Sequence, residues 1–238
     1  MGGINAFSRI EMLLGEDAME RLYCARVAVF GVGGVGGFVA EALVRSGVGA
    51  IDIFDNDTVA ESNLNRQIIA LHSTLGLPKV EALRARLMDI NPAAQVRTYQ
   101  MFYVPENADS VDLSVYDYVV DAVDTVAAKI ELAVRCEKLG VPLISAMGAG
   151  NKLDPTKIQV TDIYKTEACP LARVMRHELR KRGVKRLKVA YSTEPALTPL
   201  TQPDGETRRA TPGSTAFVPS VMGLIIAGQV VRDLCGRT

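Results

Sequence analysis

The glycine cluster at residues 31–36, Gly-Val-Gly-Gly-Val-Gly, is the motif in this sequence with the clearest chemical meaning. Between a strand and a helix, glycines at this spacing let the backbone approach a phosphate at the helix N-terminus. Asp55 follows 24 residues after Gly31, where a carboxylate accepts hydrogen bonds from ribose hydroxyls. The motif predicts a nucleotide site without distinguishing NAD from ATP, and the alternative is a turn that serves only strand–helix packing. The glycines assigned to the site are Gly31, Gly33, Gly34 and Gly36.

Two cations beyond Asp55 favour ATP over a dinucleotide. Arg66 and Lys79 are the residue types that neutralise charge accumulating on phosphates during adenylyl transfer. A dinucleotide site relies instead on the helix dipole and backbone N–H groups. Taken alone, each cation could as easily be a solvated surface residue as a phosphate ligand. Together with the glycine cluster, the two indicate a triphosphate site. The polar residues assigned to the nucleotide with them are Asp57, Asn63, Asn65 and Gln67.

Two carboxylates, Asp121 and Asp124, end the predicted strand at 116–120. Mg²⁺ is usually held by one or two carboxylates together with phosphate oxygens and water. Asp124 is therefore the predicted magnesium ligand. Asp121 either shares this role or caps the following turn.

Strands and helices alternate along the chain, which predicts how these residues are positioned. Such alternation is typical of an α/β fold with a doubly wound, mostly parallel, Rossmann-like sheet, here with a smaller C-terminal β/α extension. We expect one domain over 1–238, with a nucleotide-binding core at 1–150 and the extension at 151–238. The predicted strands are 26–30, 50–54, 96–102, 116–120, 141–147, 158–164 and 187–192. The predicted helices are 37–46, 78–90, 125–139, 171–182 and a buried helix at 216–231, after a loop at 193–213.

Composition excludes several other classes of protein. The 238 residues carry 27 Lys and Arg against 27 Asp and Glu, so a uniformly basic nucleic-acid clamp is excluded. The four cysteines form no CxxC pair, which argues against a structural zinc site. The N-terminus has no apolar signal segment, and the stretch 216–231 is shorter than the ~20 residues that span a bilayer. We therefore expect a cytoplasmic protein with no membrane association and with reduced thiols.

The residues quoted above resemble the ThiF/MoeB superfamily of ubiquitin-activating-enzyme-like adenylating enzymes, over roughly residues 5–150. The resemblance implies that Asp55 binds the ATP ribose, that Arg66 and Lys79 bind phosphates, and that Asp124 binds magnesium. Arg9 resembles an N-terminal arginine that reaches the phosphates from the other subunit, which implies a homodimer. By this resemblance, the catalytic residues are Arg9, Arg66, Lys79 and Asp124.

Other segments resemble one branch, the tRNA threonylcarbamoyladenosine dehydratase (TcdA/CsdL) family. These segments are 7–15, 65–67, 154–162 with 165–166, and 191–194. The resemblance implies ATP-dependent cyclisation of threonylcarbamoyladenosine in tRNA. The threonyl carboxylate is adenylylated, and an internal nucleophile then displaces AMP with net loss of water. It leaves open a sulfur-relay protein as a further partner.

Residues 165–188 hold nine Lys or Arg against two Glu, a net charge of +7 that leaves −7 on the rest of the chain. Such a run is commonly a solvated helix face. With the tRNA resemblance, we expect instead a phosphate-binding surface beside the nucleotide site. The residues assigned to tRNA are Arg173, Arg176, Arg180, Lys181, Arg182, Lys185, Arg186 and Lys188.

Three other functions compete with the dehydratase. Activation of a sulfur-carrier protein with a diglycine end shares the adenylation motifs, but enzymes of that kind typically carry two CxxC zinc pairs. A nicotinamide oxidoreductase is supported only by the glycine motif and Asp55, and a non-catalytic RNA-binding adaptor leaves the cations unexplained. We expect Cys169 to be a non-catalytic thiol rather than a nucleophile, and Cys24, Cys136 and Cys235 to lie in the core.

Overall fold

Seven strands and seven α-helices, joined by short 3-10 turns, make up the part of the chain that the structure describes. The structure is a computed structural model, and it describes residues 5–201 and 212–236. The strands are β1 (Arg26–Phe30), β2 (Ala50–Phe54), β3 (Gln95–Tyr99), β4 (Tyr118–Asp121), β5 (Leu143–Ala146), β6 (Ile158–Asp162) and β7 (Lys188–Ser192). The helices are α1 (Ser8–Leu14), α2 (Glu16–Cys24), α3 (Gly36–Arg45), α4 (Lys79–Ile90), α5 (Val126–Leu139), α6 (Pro170–Lys181) and α7 (Phe217–Leu234).

The strands form one sheet in the order β3-β2-β1-β4-β5-β7-β6. Every neighbouring pair is parallel except β6 with β7. β1, β2, β4 and β5 are almost entirely buried, because a parallel sheet is covered by helices on both faces. The predicted doubly wound, mostly parallel fold is confirmed. β6 and β7, which follow residue 150, extend this same sheet.

The order of the strands fixes where a ligand can bind. β1 has β2 on one side and β4 on the other, so the chain leaves the sheet toward opposite faces at this point. A crevice forms at such a switch, beyond the carboxyl ends of the strands. The glycine loop follows β1, Asp55 follows β2 and Asp124 follows β4, so these residues converge on one edge of the sheet.

Several element boundaries differ from the sequence prediction. The strand predicted at 96–102 stops at Tyr99, because Tyr99 pairs with Phe54, the last residue of β2, and no strand lies beyond it. The strands predicted at 116–120 and 141–147 are β4 and β5, which are shorter, and the end of 158–164 is a 3-10 turn. α1 and α2 were not predicted. Residues 202–211 of the predicted loop lie outside the described residues.

Helix α7 corresponds to the buried helix predicted at 216–231. Among the described residues it is the one helix long and apolar enough to cross a membrane, and half of it is buried inside the molecule. A Cβ on Gly223 would lie 2.5 Å from the carbonyl oxygen of Val35, so this glycine lets α7 pack directly against the start of α3. Close packing of this kind is what the core helix of a globular protein shows.

Candidate active site

The glycine loop turns from β1 into α3 with a backbone that only glycine permits at two positions. Gly31 has φ +82°, and a Cβ there would lie 2.7 Å from the carbonyl oxygen of Ala122. A Cβ on Gly36 would lie 1.8 Å from the carbonyl oxygen of Gly31. A Cβ on Gly33 would be in ordinary contact with Gln67 at 3.6 Å, whereas a Cβ on Gly34 would lie tightly against Pro219 at 3.3 Å. The loop therefore packs tightly against the end of β4 and exposes its outer backbone to a cleft.

This cleft has a volume of about 690 Å³ and lies at the carboxyl edge of the sheet. Its size is that of a small-molecule site. The residues predicted for the nucleotide that line it are Gly31, Gly33, Gly34, Asp55, Asp57, Asn63, Arg66, Gln67, Lys79 and Asp124. Gly36 and Asn65 do not line it, although both are in contact with residues that do.

Asp55 ties the end of β2 to the glycine loop. Its Oδ2 accepts a hydrogen bond of 2.8 Å from the N–H of Val32, and its Oδ1 accepts one of 2.9 Å from the N–H of Asp57. A carboxylate has about four lone-pair sites, so two remain for other donors. Asp55 is half-buried at the cleft wall and can accept hydrogen bonds from a ribose.

Lys79 is held at the cleft by Asp57. The two side chains form an ion pair of 2.7 Å between Nζ and Oδ2, and the backbone N–H of Lys79 donates to the carbonyl of Asp57. Only 5% of Lys79 is exposed, so the alternative of a solvated surface lysine is excluded. Asp57 therefore contacts Lys79 directly and positions its ammonium group at the cleft.

Arg66 lies in a loop whose polar side chains fold back on the backbone. Its guanidinium donates to the carbonyl of Ser62 and to Oδ1 of Asn65, each at 2.9 Å. Asn63 caps the preceding turn by accepting from the N–H of Ala60. These bonds hold the half-buried arginine at the cleft.

Gln67 provides a test of whether a nucleotide fits this cleft. Its Oε1 is buried and has no hydrogen-bond partner within 5–201 and 212–236, although 7% of the residue is exposed. A buried acceptor without a donor is costly and calls for a ligand or a water molecule. With the glycine backbone, two cations and Asp55 around it, the cleft suits a polar phosphorylated ligand.

Asp124 is exposed at the loop after β4, and Asp121 is not available beside it. Asp121 is fully buried, where its Oδ1 accepts from the N–H of Val123 at 3.2 Å, so its predicted role as a turn cap is confirmed. No group of three or more metal-ligand side chains occurs among the described residues. A single exposed carboxylate such as Asp124 could hold a magnesium ion only if phosphates and water supplied the other ligands.

Sequence reasoning missed the buried cation that pairs with Asp121. Lys129 of α5 is 1% exposed and its Nζ lies 3.1 Å from Oδ1 of Asp121. The same ammonium donates to the carbonyl of Ala146 at 2.7 Å, and the hydroxyl of Ser145 donates to Asp121 at 2.5 Å. These bonds tie the carboxyl ends of β4 and β5 under the cleft. The available signal was a lysine among apolar residues on the inward side of α5.

Arg9 lies outside the cleft of its own chain. It is exposed on α1, and it is not among the described residues that line the cleft. Met12 and Leu13 of the same helix are 78% and 76% exposed. The structure therefore does not bring Arg9 to the other predicted residues within one subunit.

No residue of the basic segment 165–188 is among the described residues that line the cleft. Lys188 begins β7, so the connection from α6 through Lys185 and Arg186 lies at the amino edge of the sheet, opposite the glycine loop. The expectation that the basic surface lies beside the nucleotide site is therefore wrong for Lys185, Arg186 and Lys188. A five-residue strand separates the two edges by roughly 16 Å.

Several of its cations have partners within the chain. Arg176 donates to both oxygens of Thr166, Arg180 lies over the ring of Tyr164 at 5.1 Å, and Lys188 pairs with Asp233. Lys181 and Arg182 pair with Glu178 at 3.0 and 2.6 Å. Arg173, Lys185 and Arg186 are exposed and form no ion pair with any residue the structure describes.

The thiols are mostly structural. Cys169 is 5% exposed and caps α6, its Sγ accepting from the N–H of Ala172 at 3.5 Å, as expected of a non-catalytic thiol. Cys136 and Cys235 are buried as predicted, and burial raises the pKa of Cys136 to about 12. The prediction for Cys24 is wrong, because it is exposed at the end of α2, where the chain turns into β1.

Comparisons with known proteins agree in pointing to one family. The model of the ThiF family matches residues 7–238. The chain is similar to the tRNA threonylcarbamoyladenosine dehydratase of Bacillus subtilis (strain 168), with 46% identity over 241 residues that cover 97% of this chain and 95% of that protein. It is also similar to crystal structures of E. coli tRNA N6-threonylcarbamoyladenosine dehydratase, TcdA, in complex with AMP and with ATP. Their TM-scores are 0.89 and 0.87 at 34% identity, covering 98% of this chain and 94% of each of those chains.

Proposed function

The chain belongs to the ThiF family, and from that premise we propose that it uses ATP to dehydrate threonylcarbamoyladenosine in tRNA, releasing AMP. The observation that carries this proposal is the convergence of Asp55, Lys79 and Asp124 on one cleft of a chain that resembles such dehydratases along nearly its whole length. ATP, when bound, supplies the adenylyl group that makes an oxygen of the threonyl carboxylate part of a good leaving group, AMP. Ring closure by an internal nucleophile of the substrate then completes the loss of one water.

The residues of the cleft hold phosphates and disperse their charge. The glycine loop offers backbone close to the phosphates, and Asp55 accepts from the ribose. Lys79 and Arg66 place positive charge where negative charge grows in the transition state, and the partners that fix them reduce the cost of reorganisation. Asp124 would hold Mg²⁺ together with phosphate oxygens, and the ion would neutralise part of the phosphate charge.

No enzyme thiol is needed for this reaction, because the nucleophile belongs to the substrate and lies next to the activated carbonyl. Three of the four cysteines are buried and Cys24 does not line the cleft. Within the proposal, a sulfur-relay protein is a further partner that the reaction itself does not require. Activation of a sulfur-carrier protein is not favoured, since the chain has no CxxC pair and its similarity to the dehydratases extends over both halves.

The proposal includes a homodimer in which Arg9 of one subunit reaches the cleft of the other. Arg9 is exposed on α1, away from its own cleft, and two exposed apolar residues, Met12 and Leu13, share its helix. Covering such residues by a second copy is favourable by about 25 cal/mol per Å² of apolar surface. We place this dimer in the cytoplasm with its tRNA.

Docking of tRNA is assigned to the exposed cations Arg173, Arg180, Lys181 and Arg182. Phosphate contacts by Lys and Arg supply affinity that depends steeply on salt. Neutralising Arg180, Lys181 and Arg182 together should weaken tRNA binding and leave ATP binding intact. Unchanged tRNA affinity at moderate salt would contradict this assignment.

The function is tested by incubating the protein with ATP, magnesium and tRNA that carries threonylcarbamoyladenosine. The modified nucleoside should lose the mass of one water, and AMP should be released in equal amount. AMP release that requires a small carrier protein instead of tRNA would favour the sulfur-carrier function. Absence of any nucleotide turnover would contradict an ATP-using enzyme.

A further inference from the structure

On the β5 side, the wall of the cleft is formed by Ala149, Gly150 and Ser214 and offers backbone N–H groups to a ligand. Ala149 and Gly150, which follow β5, line the cleft together with Ser214. The backbone N–H groups of Ala149 and Gly150 form no hydrogen bond with any residue in 5–201 or 212–236. Backbone N–H groups that have no partner within the protein are available to donate to an anionic group of a ligand, such as a carboxylate.

Asn151 holds this wall in place. It has φ +57°, the left-handed conformation that Asn tolerates better than most residues. Its N–H donates to the carbonyl of Gly213 at 2.7 Å, its Oδ1 accepts from the N–H of Gly213 at 2.7 Å, and its carbonyl accepts from the N–H of Leu197 at 2.8 Å. One residue thereby joins the end of β5 to two later segments.

The wall is also joined to the loop of Arg66. The side-chain amide of Asn65 donates to the carbonyl of Ser214 at 3.0 Å. A Cβ on Gly150 would lie 2.9 Å from Pro212, so the wall is closely packed where it faces the cleft. The Asn65 side chain thus connects this wall to the opposite side of the cleft.

The position of this wall along the sheet edge identifies its ligand. Lys79 contacts Asp57 beyond β2, whereas Ala149 and Gly150 follow β5, with β1 and β4 between them. A group that attacks a phosphorus atom approaches from the side opposite to the leaving group. If Lys79 stabilises the leaving phosphates, the acceptor carboxylate approaches from the wall that is farther from Lys79.

We infer that the wall of Ala149, Gly150 and Ser214 receives the threonyl carboxylate of the modified base, and that Asn151 is the positioning residue of this subsite. The inference rests on the proposed function and names the part of the cleft that recognises its substrate. A subsite of this kind would select modified tRNA over unmodified tRNA, because an unmodified adenosine has no carboxylate to place there.

The test compares two RNA hairpins that have the sequence of the anticodon stem-loop, one with threonylcarbamoyladenosine and one with adenosine. Wild-type protein should bind the modified hairpin more tightly. Asn151→Gly keeps the backbone conformation but removes Oδ1, and it should weaken binding of the modified hairpin about tenfold. Binding of the unmodified hairpin and of ATP should stay within about twofold, since neither uses this wall.

Asn91→Gly is the matched control, because the Oδ1 of Asn91 also accepts one backbone N–H and lies outside the cleft. It should leave all three affinities unchanged. Equal weakening of both hairpins and of ATP by Asn151→Gly would show a purely structural role and overturn the inference, as would equal affinity of the wild type for both hairpins. Discrimination between hairpins without dehydration would instead support the subsite and contradict the proposed function.

Discussion

At the scale of single residues, the cleft works through charges whose partners are already in place. Asp57 fixes the ammonium of Lys79, and the carbonyl of Ser62 and the amide of Asn65 fix the guanidinium of Arg66. A preorganised charge stabilises a transition state without the cost of reorganising solvent at the moment of reaction. The arrangement favours catalysis by electrostatic stabilisation from preorganised charges over catalysis by an enzyme nucleophile.

Arg66→Ala and Asp124→Ala should each lower the rate of dehydration by at least about a hundredfold, the usual cost of losing one positioned stabilising group. Neither side chain is in the core, so the free energy of unfolding should fall by less than about 1 kcal/mol. Steady-state AMP release and urea unfolding measure the two effects. Arg84→Ala, at an exposed cation of α4 outside the cleft, should behave as wild type. A near-normal rate in either cleft variant would contradict the role of that residue.

At the scale of elements, the carboxyl ends of β4 and β5 are connected through Lys129 of α5, which forms a buried ion pair with Asp121 and donates to the carbonyl of Ala146. Lys129→Met would leave the buried carboxylate of Asp121 without its cation. Breaking such a pair typically costs about 3–5 kcal/mol, and replacing both partners by neutral residues recovers much of that loss. Urea unfolding should therefore show a large loss in Lys129→Met and a smaller one in the Lys129→Met/Asp121→Asn double variant. A loss below about 1 kcal/mol in the single variant would mean that the pair does not stabilise this junction.

Helix α7 is joined to β4 and β7 through Asp233. Burial alone would raise the pKa of this carboxyl, but hydrogen bonds from Lys188, Tyr118 and Gln229 hold the pKa below its usual value. A depressed folded pKa adds stability above the unfolded pKa, and that stability is lost as pH falls through the folded pKa. Asp233→Asn should therefore be less stable than wild type near pH 7, and the difference should shrink below about pH 4. A difference in unfolding free energy that stays constant from pH 7 to pH 3 would contradict this.

The sequence predicted the elements that depend on local signals. The strand before Gly31, the helix after it and the left-handed Gly140 that ends α5 all follow from neighbouring residues. The partner of Asp121 and the wall beyond β5 did not follow, because they depend on which strands become neighbours. The position of Lys185 and Arg186 at the far edge was missed for the same reason, since only the pairing of β7 with β5 reveals it.

At the scale of the whole molecule, Arg9 is absent from the cleft of its own subunit. If it acts in the partner's cleft, two inactive variants should restore activity when their subunits are mixed. In a heterodimer of Arg9→Ala with Lys79→Ala, one cleft carries both changes and the other carries neither, if Arg9 acts in the partner subunit. Each variant alone should be inactive. Their equal mixture, after subunit exchange, should recover about a quarter of wild-type AMP release, because about half of symmetric pairs are mixed. Absence of recovery in a mixture shown to exchange subunits would contradict action across the dimer.

The central claim is that the threonyl carboxylate is activated by ATP, and the most direct test follows the oxygen atoms. tRNA is prepared with threonylcarbamoyladenosine whose carboxylate carries oxygen-18, and the protein converts it in ordinary water with ATP and magnesium. Mass spectrometry should find one oxygen-18 atom in each AMP released and one fewer in the dehydrated nucleoside, because ring closure leaves the carboxylate oxygen on AMP. Unlabelled AMP alongside a dehydrated nucleoside would contradict adenylylation of the carboxylate.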